Sequence, residues 1–373
     1  MNTTQYLATC TISTDKHGQE HILAIVKGTF EIPTLGKIAE LAEQPVPIIA
    51  EDIYEGDPED SSVVFESDYA LNKPFCDVLL NGYCYAPKGK PTTQVSVGLK
   101  VGNVRKIFQV TGDRVWEHYP TKIKPSEPEP FVKKSISYDA AYGGKDYFDI
   151  DKEKHTAYLH NPVGVGYHKV LTLEVVNGKP LPNTEEINNP INHPYENYRP
   201  MSLGAVSRSS PSRAIHAGKY DKKWVDQQFP FLPKDFDDRY FQAAPEDQQT
   251  EYLKGGEIVH LVNLTESGKT QFRIPSIRQK KVVFYFHDGK YQIADFKVDT
   301  LHIFPEDNVF TMTARASIPI YGDPFNCSKV IIGRGTTAWK HALEKGKRYI
   351  PSISELKDYL KKQQENSDAS VAG

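Results

Sequence analysis

The chain predicts a mainly β fold: antiparallel sheets in both halves, sandwich or barrel-like, joined by long irregular central loops and closed by short C-terminal helices. Three observations carry that expectation. Runs at both ends alternate apolar and polar side chains with the two-residue period of a pleated strand. Aromatic residues are abundant, 21 Tyr and 17 Phe against 3 Met, and aromatics favour pleated surfaces. The middle is dense in Pro, Gly, Asn and Tyr and keeps no steady period.

In chain order, residues 22–32 place Ile22, Ala24, Val26, Gly28, Phe30 and Ile32 on one face and Lys27, Thr29 and Glu31 on the other, as a half-buried strand does. Cys76, Val78, Leu80, Gly82 and Cys84 share one face of a second strand, with the cysteines as small buried apolar groups. Val95, Val97, Leu99 and Val101 point inward from a third, with Gln94, Ser96 and Lys100 outward. Gly102-Asn103 turns that strand into residues 104–110. Later, 281–286 and 291–298 flank His287-Asp288-Gly289-Lys290, a hairpin signal, and 308–317 form a further strand. In the middle, Asp221 can cap a turn carrying Trp224 and Val225, and Pro245 can start a helix that stops at Gly255. Trp339, Ala342 and Leu343 share a helical face, and Ser352 with Glu355 forms a capping box before a last helix. The expected division is 1–119, an N-terminal β region; 120–254, loop-rich with short helices; 255–324, a second β region; and 325–373, a helical extension with a disordered tail.

Charge and cysteine usage exclude several classes. The net charge of −3 argues against a nucleic-acid surface. Four cysteines in 373 residues, with no CxxC, are no disulfide framework. The first dozen residues lack the basic and apolar regions of a signal peptide. No run approaches the roughly 18 apolar residues of a spanning helix. A cytoplasmic protein without membrane insertion is the expectation.

No catalytic motif is complete in the sequence. Gly333-Arg334-Gly335 follows an apolar run as a dinucleotide loop would, but too little chain follows it for a parallel nucleotide-binding sheet. Gly164-Val165-Gly166 lacks the Lys-Ser/Thr of a phosphate loop. There is no GxSxG, and no His or Cys spacing asks for a metal. No cofactor, no metal and no catalytic residue are expected. What stands out instead is Gly112-Asp113-Arg114-Val115-Trp116 and Tyr142-Gly143-Gly144-Lys145-Asp146. Each unites permissive glycines, a large aromatic and opposite charges. Asp113, Arg114, Trp116, Tyr142, Gly143, Gly144 and Asp146 are therefore candidates for either a buried network that pins loops to a sheet or a recognition surface.

The order of short motifs resembles a known family. It runs from Lys27-Gly28-Thr29-Phe30 through Glu66-Ser67-Asp68, Lys73-Pro74, Asp77-Val78 and Gly112–Trp116 to Tyr138-Asp139-Ala140-Ala141-Tyr142-Gly143-Gly144. It continues with Asn161-Pro162-Val163-Gly164-Val165-Gly166 and Ala217-Gly218-Lys219-Tyr220-Asp221 with Trp224. Asp235-Phe236-Asp237, Asp247-Gln248 and Gly255-Gly256-Glu257 complete the series. Over residues 20–320 the chain resembles bacterial type VI secretion adaptor/chaperones that serve effectors carrying a PAAR tip domain. It departs from them at Ala140, where an Arg is usual, and at Ala314, where a Trp is. The resemblance implies a non-catalytic loader that binds a PAAR-domain effector in the cytoplasm and brings it to the VgrG spike, with a co-chaperone as a further partner. It adds Asn161, Tyr220, Trp224, Asp235, Asp237 and Gln248 to the candidate partner-binding or loop-organising residues, and Arg239 joins them as the arginine expected to pair with Asp235 or Asp237. Two other classes stay open. One is a hydrolase of an envelope polymer using Asp113, Asp146 or Asp235; the other is a structural component of the secretion apparatus.

Overall fold

The computed structural model describes residues 1–34, 36–148, 155–277 and 281–333, together with the single positions 153, 341, 342, 345 and 357. Its main strands are, in chain order, β1 (Leu7–Thr14), β2 (Glu20–Glu31), β3 (Cys76–Leu80), β4 (Gln94–Val101) and β5 (Val104–Thr111). There follow β6 (Thr184–Glu185), β7 (Gln249–Thr250), β8 (Ile258–Val262), β9 (Lys269–Arg273) and β10 (Lys281–Phe286). The last are β11 (Tyr291–Asp295), β12 (Lys297–Phe304), β13 (Val309–Pro319) and β14 (Cys327–Ile332).

Three open sheets result. A six-stranded sheet has the order β1-β2-β13-β12-β3-β7, a five-stranded sheet β6-β5-β4-β8-β9, and a three-stranded sheet β11-β10-β14. Pairing within them is antiparallel apart from β12 beside β3. The two larger sheets draw strands from both ends of the chain. Strand β2 pairs with β13 from His21↔Pro319 to Glu31↔Val309, and β4 pairs with β8. The expected N-terminal and second β regions are thus interleaved in one sandwich, and among the described residues no sheet closes into a barrel.

The alternation that predicted the strands also sets their packing. Val95, Val97, Leu99 and Val101 of β4 face Phe30, Val78, Leu80, Leu301, Ile303, Phe310 and Met312 of the six-stranded sheet across the main core. The other end of the same β2 face, Ile22, Ala24 and Val26, is covered by Val282, Phe284 and Ile332 of the three-stranded sheet. One amphipathic strand therefore serves two cores.

The predicted two-residue turn joins β4 to β5 through the pair Val101↔Val104, and the Asp288-Gly289 hairpin joins β10 to β11. Four expectations need correction. The run 76–84 breaks at Asn81: Leu80 ends β3, and Gly82–Tyr85 leaves to pair with Lys133–Ile136. The run 291–298 divides at Phe296, where β11 and β12 go to different sheets. The helix from Pro245 is only the 3-10 turn Glu246–Gln248, because the next residues pair with β3. The extension placed from residue 325 opens with a strand, β14, whose free edge is covered by Met1–Thr3 through Thr3 N–H to Ile332 O (2.8 Å) and Ile332 N–H to Met1 O (2.9 Å). Of the helix expected around Trp339 only His341, Ala342 and Lys345 are described, and of the helix after Ser352 only Lys357; the Gly333 loop beyond its first residue falls outside the described residues.

Candidate functional site

The irregular centre has a core of its own. Trp116, Tyr142, Tyr158, Tyr167, Leu181, Ile191 and Tyr198 form a cluster separate from the sandwich core. The Trp116 indole is fully buried and donates through Nε1 to Gly166 O at 3.1 Å. Tyr142 lies edge-on to Tyr158 and Tyr198, with centroids 5.0 and 4.9 Å away, a favourable arrangement of aromatic quadrupoles. Its hydroxyl lies 3.0 Å from both Pro194 O and Glu196 O, and its one proton is shared between them.

The glycines beside it are required by close approach. Gly143 has φ 158°, and a Cβ there would stand 2.0 Å from Asn161 O. Asn161 in turn donates from Nδ2 to Tyr138 O (2.8 Å) and Tyr142 O (3.2 Å), and Gly144 N–H donates to Asn161 O. Asp146 is buried and accepts the Lys169 and Val170 amides at 2.7 and 2.8 Å. Arg114 pairs with Glu185 at 3.0 Å. At the rim, Lys134 (2.6 Å) and Asn183 (3.0 Å) hold Asp113, and the Lys134 hydrogen bond keeps its carboxyl below the usual range. Of the two roles open to Asp113, Arg114, Trp116, Tyr142, Gly143, Gly144, Asp146 and Asn161, the geometry displays loop organisation.

Gln248 belongs elsewhere. It is fully buried, donates from Nε2 to Val78 O and Leu203 O (both 2.9 Å), and accepts from Lys106 Nζ at 2.7 Å. Burial pushes the Lys106 ammonium down to about 8 despite the opposing pull of Asp247. The native state then holds fewer protons than the unfolded chain between about pH 8 and the ordinary lysine value, so this group makes stability rise with pH across that window. Urea midpoints at pH 7.5 and 9.5 should show the rise, and Lys106→Met should remove it.

Tyr220, Trp224, Asp235, Asp237 and Arg239 gather in a projection spanning 215–239. Asp221 caps the helix Lys222–Gln227 by accepting Trp224 N–H at 2.9 Å, as the sequence predicts. Trp224 Nε1 then donates to Phe231 O at 2.8 Å. The ring of Trp224 is edge-on to Tyr220 (4.8 Å) and Phe229 (5.6 Å). Asp235 accepts Lys219 N–H at 3.1 Å, and Asp237 is gripped by the Arg239 fork at 2.7–3.1 Å. Ile215, Tyr220, Val225 and Phe229 are 73, 54, 57 and 66 % exposed, and the same segment exposes Lys219, Lys222, Lys223 and Lys234 together with Asp221, Asp226 and Asp235. The projection rests on the β1–β2 turn: Phe231 lies about 3.2 Å from where a Gly18 Cβ would sit, and Lys16 Nζ donates to Phe236 O at 3.2 Å. Among the described residues, Asp113, Asp146 and Asp235, the three acids of the hydrolase alternative, have no hydrogen-bond partner in common.

One constellation went unread in the sequence. The face of β2 expected to be half-solvated is buried, because irregular segments around 44–75 and 205–245 cover it. Five cations (Lys27, Lys73, Arg208, Arg213, Arg315) meet five carboxylates (Asp52, Glu66, Asp68, Asp77, Asp299) there. Lys27 binds Asp68 at 2.8 Å; Lys73 binds Asp77 at 2.8 Å and Glu66 at 3.3 Å; Arg208 binds Asp52 at 2.7 Å. Arg213 grips Glu66 and Arg315 grips Asp299. Thr300 links the two ends, reaching Asp299 at 3.1 Å and receiving Lys73 Nζ at 3.5 Å. The available signal was a lone charge inside an apolar strand run, as with Lys27, Asp77 and Arg315.

Among the described residues no three His, Cys, Asp or Glu side chains come together as a metal site requires. None of their helices is long and apolar enough to cross a membrane. No curated protein and no solved structure matches the chain. A family model described as an uncharacterized protein conserved in bacteria (DUF2169) matches residues 17–315, a span that takes in the ion network, the aromatic centre and the projection. The chain belongs to this bacterial family, DUF2169.

Proposed function

We propose that the protein is a cytoplasmic adaptor/chaperone that binds a PAAR-domain effector of a type VI secretion machine and brings it to the VgrG spike. One observation carries this reading: an aromatic projection seated on the β1–β2 turn of the sandwich, with Tyr220, Phe229 and Phe231 exposed to solvent. Exposed aromatic clusters of this sort mark protein-binding surfaces, and Trp and Tyr anchors dominate such contacts. The Trp224 bond to Phe231 O and the Asp221 cap fix the rings before a partner arrives, which lowers the ordering cost of binding. The partners in this proposal are those implied by the resemblance in motif order along residues 20–320.

The test is genetic and biochemical together. Deleting the gene lowers the level or export of one PAAR effector while the machine still fires. The triple change Tyr220→Ser, Phe229→Ser and Phe231→Ser reproduces that phenotype with the fold intact by circular dichroism. If all secretion stops on deletion, or the tagged chain brings down neither a PAAR protein nor a spike protein, the reading fails.

A further inference from the structure

We propose that the outer edge of β1 receives an extended strand of the partner polypeptide, and that the continuation of that strand is anchored on the aromatic projection. The inference rests on the adaptor reading and specifies how the cargo is held. Strand β1 closes one side of the six-stranded sheet and, among the described residues, pairs only with β2, in unbroken register from Leu7↔Lys27 to Thr14↔Glu20. In an antiparallel ladder alternate residues turn their N–H and C=O away from the neighbour, so the outer side of β1 offers a row of backbone donors and acceptors.

Edges like this are normally guarded by charge, proline, a bulge, shortness or a cover. The other outer strands of the described sheets are guarded. Strands β6 and β7 have two residues each. Strand β9 carries Lys269 and Arg273, β11 is five residues ending in Asp295, and β14 is covered by Met1–Thr3. Strand β1, Leu-Ala-Thr-Cys-Thr-Ile-Ser-Thr, has eight residues with no charge, no proline and no bulge. Cys10, Ile12 and Thr14 are exposed along one row, and Leu7, Thr9, Thr11 and Ser13 are half-buried along the other. An incoming strand therefore needs alternating small apolar and hydroxyl-bearing residues and no charge at the contact. Strand addition of this kind draws affinity from the backbone and selectivity from alternate side chains.

The occupant follows from what lies at the end of the strand. Strand β1 runs into the Asp15–Gln19 turn, and that turn carries Phe231 of the projection against Gly18. A chain laid along β1 thus passes straight to Phe231, Phe229 and Tyr220. Two β1 strands pairing across a two-fold would join eight residues a side, short of the roughly 20–30 a side of a stable interface. A cargo segment that engages edge and projection in succession uses the whole surface.

The experiment uses the full chain and the PAAR effector recovered with it. Cys10→Lys combined with Ile12→Lys places two charges on exposed positions, leaving the core untouched. Binding by calorimetry should weaken by roughly tenfold or more, about 1.4 kcal/mol per tenfold, while Ile293→Lys on β11 leaves it unchanged. A photo-crosslinker at position 12 should attach to the effector. If the wild-type chain recovers no PAAR effector, the adaptor reading falls and this inference with it. If the effector binds the lysine variant as tightly as the wild type, the edge inference alone is overturned. It is overturned equally by a wild-type dimer that the lysine pair converts to monomer, or by crosslinks to residues 334–373 of the same chain.

Discussion

Asp68→Ala lowers the unfolding free energy by about 3–5 kcal/mol, the usual cost of removing one member of a buried ion network. Asp68 is the most shared acceptor on the polar face of the six-stranded sheet. It takes Lys27 Nζ and the Ile49 amide at 2.8 Å each and the Thr313 hydroxyl at 3.1 Å, with the Arg315 guanidinium at 3.8 Å. Removing the carboxylate strands Lys27 at 4 % exposure and takes the acceptor from the Ile49 amide. Most of the loss is the cost of an unpaired buried cation, so Asp68→Ala combined with Lys27→Met should be less damaging than Asp68→Ala alone. Urea unfolding of both variants measures this; a double variant no more stable than the single one rules the explanation out.

The same network has a pH signature. Burial pushes the Asp68 carboxyl up, but Lys27, Arg315 and the Ile49 amide outweigh it and hold the group below its ordinary value. A carboxyl depressed in the native state contributes stability that is whole above the unfolded pKa, about 3.9 for Asp, and is lost as pH falls through the folded value. Acid unfolding should therefore set in below about pH 4, with this contribution missing in Asp68→Ala.

Trp116→Ala is the second large effect, about 3–5 kcal/mol for a fully buried Trp. The indole sits at the foot of the aromatic centre and its Nε1 bond to Gly166 O ties 165–166 to the segment leaving β5. Because this cluster is separate from the sandwich core, the damage should concentrate there. Limited proteolysis should cut within 120–200 while the fragments bearing β2, β12 and β13 stay protected, as expected when one cooperative unit opens before the rest. A variant that resists protease and loses under about 1 kcal/mol would remove Trp116 from that role.

How much could be read in advance follows from the range of each interaction. Period-two alternation is local, so the inward rows of β2 and β4 were legible, as were the Asp221 cap and both short hairpin turns. Partner choice is not local. Nothing near residue 25 says that β2 pairs with residues 309–319, or that its polar face lies under a loop from 44–54. Lys27 therefore reads as a charge on the solvent-facing row of its strand, and the local pattern assigns Asp77 and Arg315 no partner. Asp113, Arg114, Trp116, Tyr142, Gly143, Gly144 and Asp146 stand out by composition and Asn161 by motif order, but only their contacts separate an organising role from a docking one. Gln248 was singled out beside the projection residues although it lies under the sheet, because a motif order carries no distances.

The sequence by itself determined a mainly β architecture, the inward face of each long strand, and the glycine and aspartate positions that turn or cap the chain, because these depend on a few adjacent residues. The tertiary structure alone decided that the two halves interleave in one sandwich, that ten charges close a buried face, and that the β1 edge meets an exposed aromatic projection. These arise from pairings across tens to hundreds of residues, where burial and charge balance act between segments whose nearness no local pattern records.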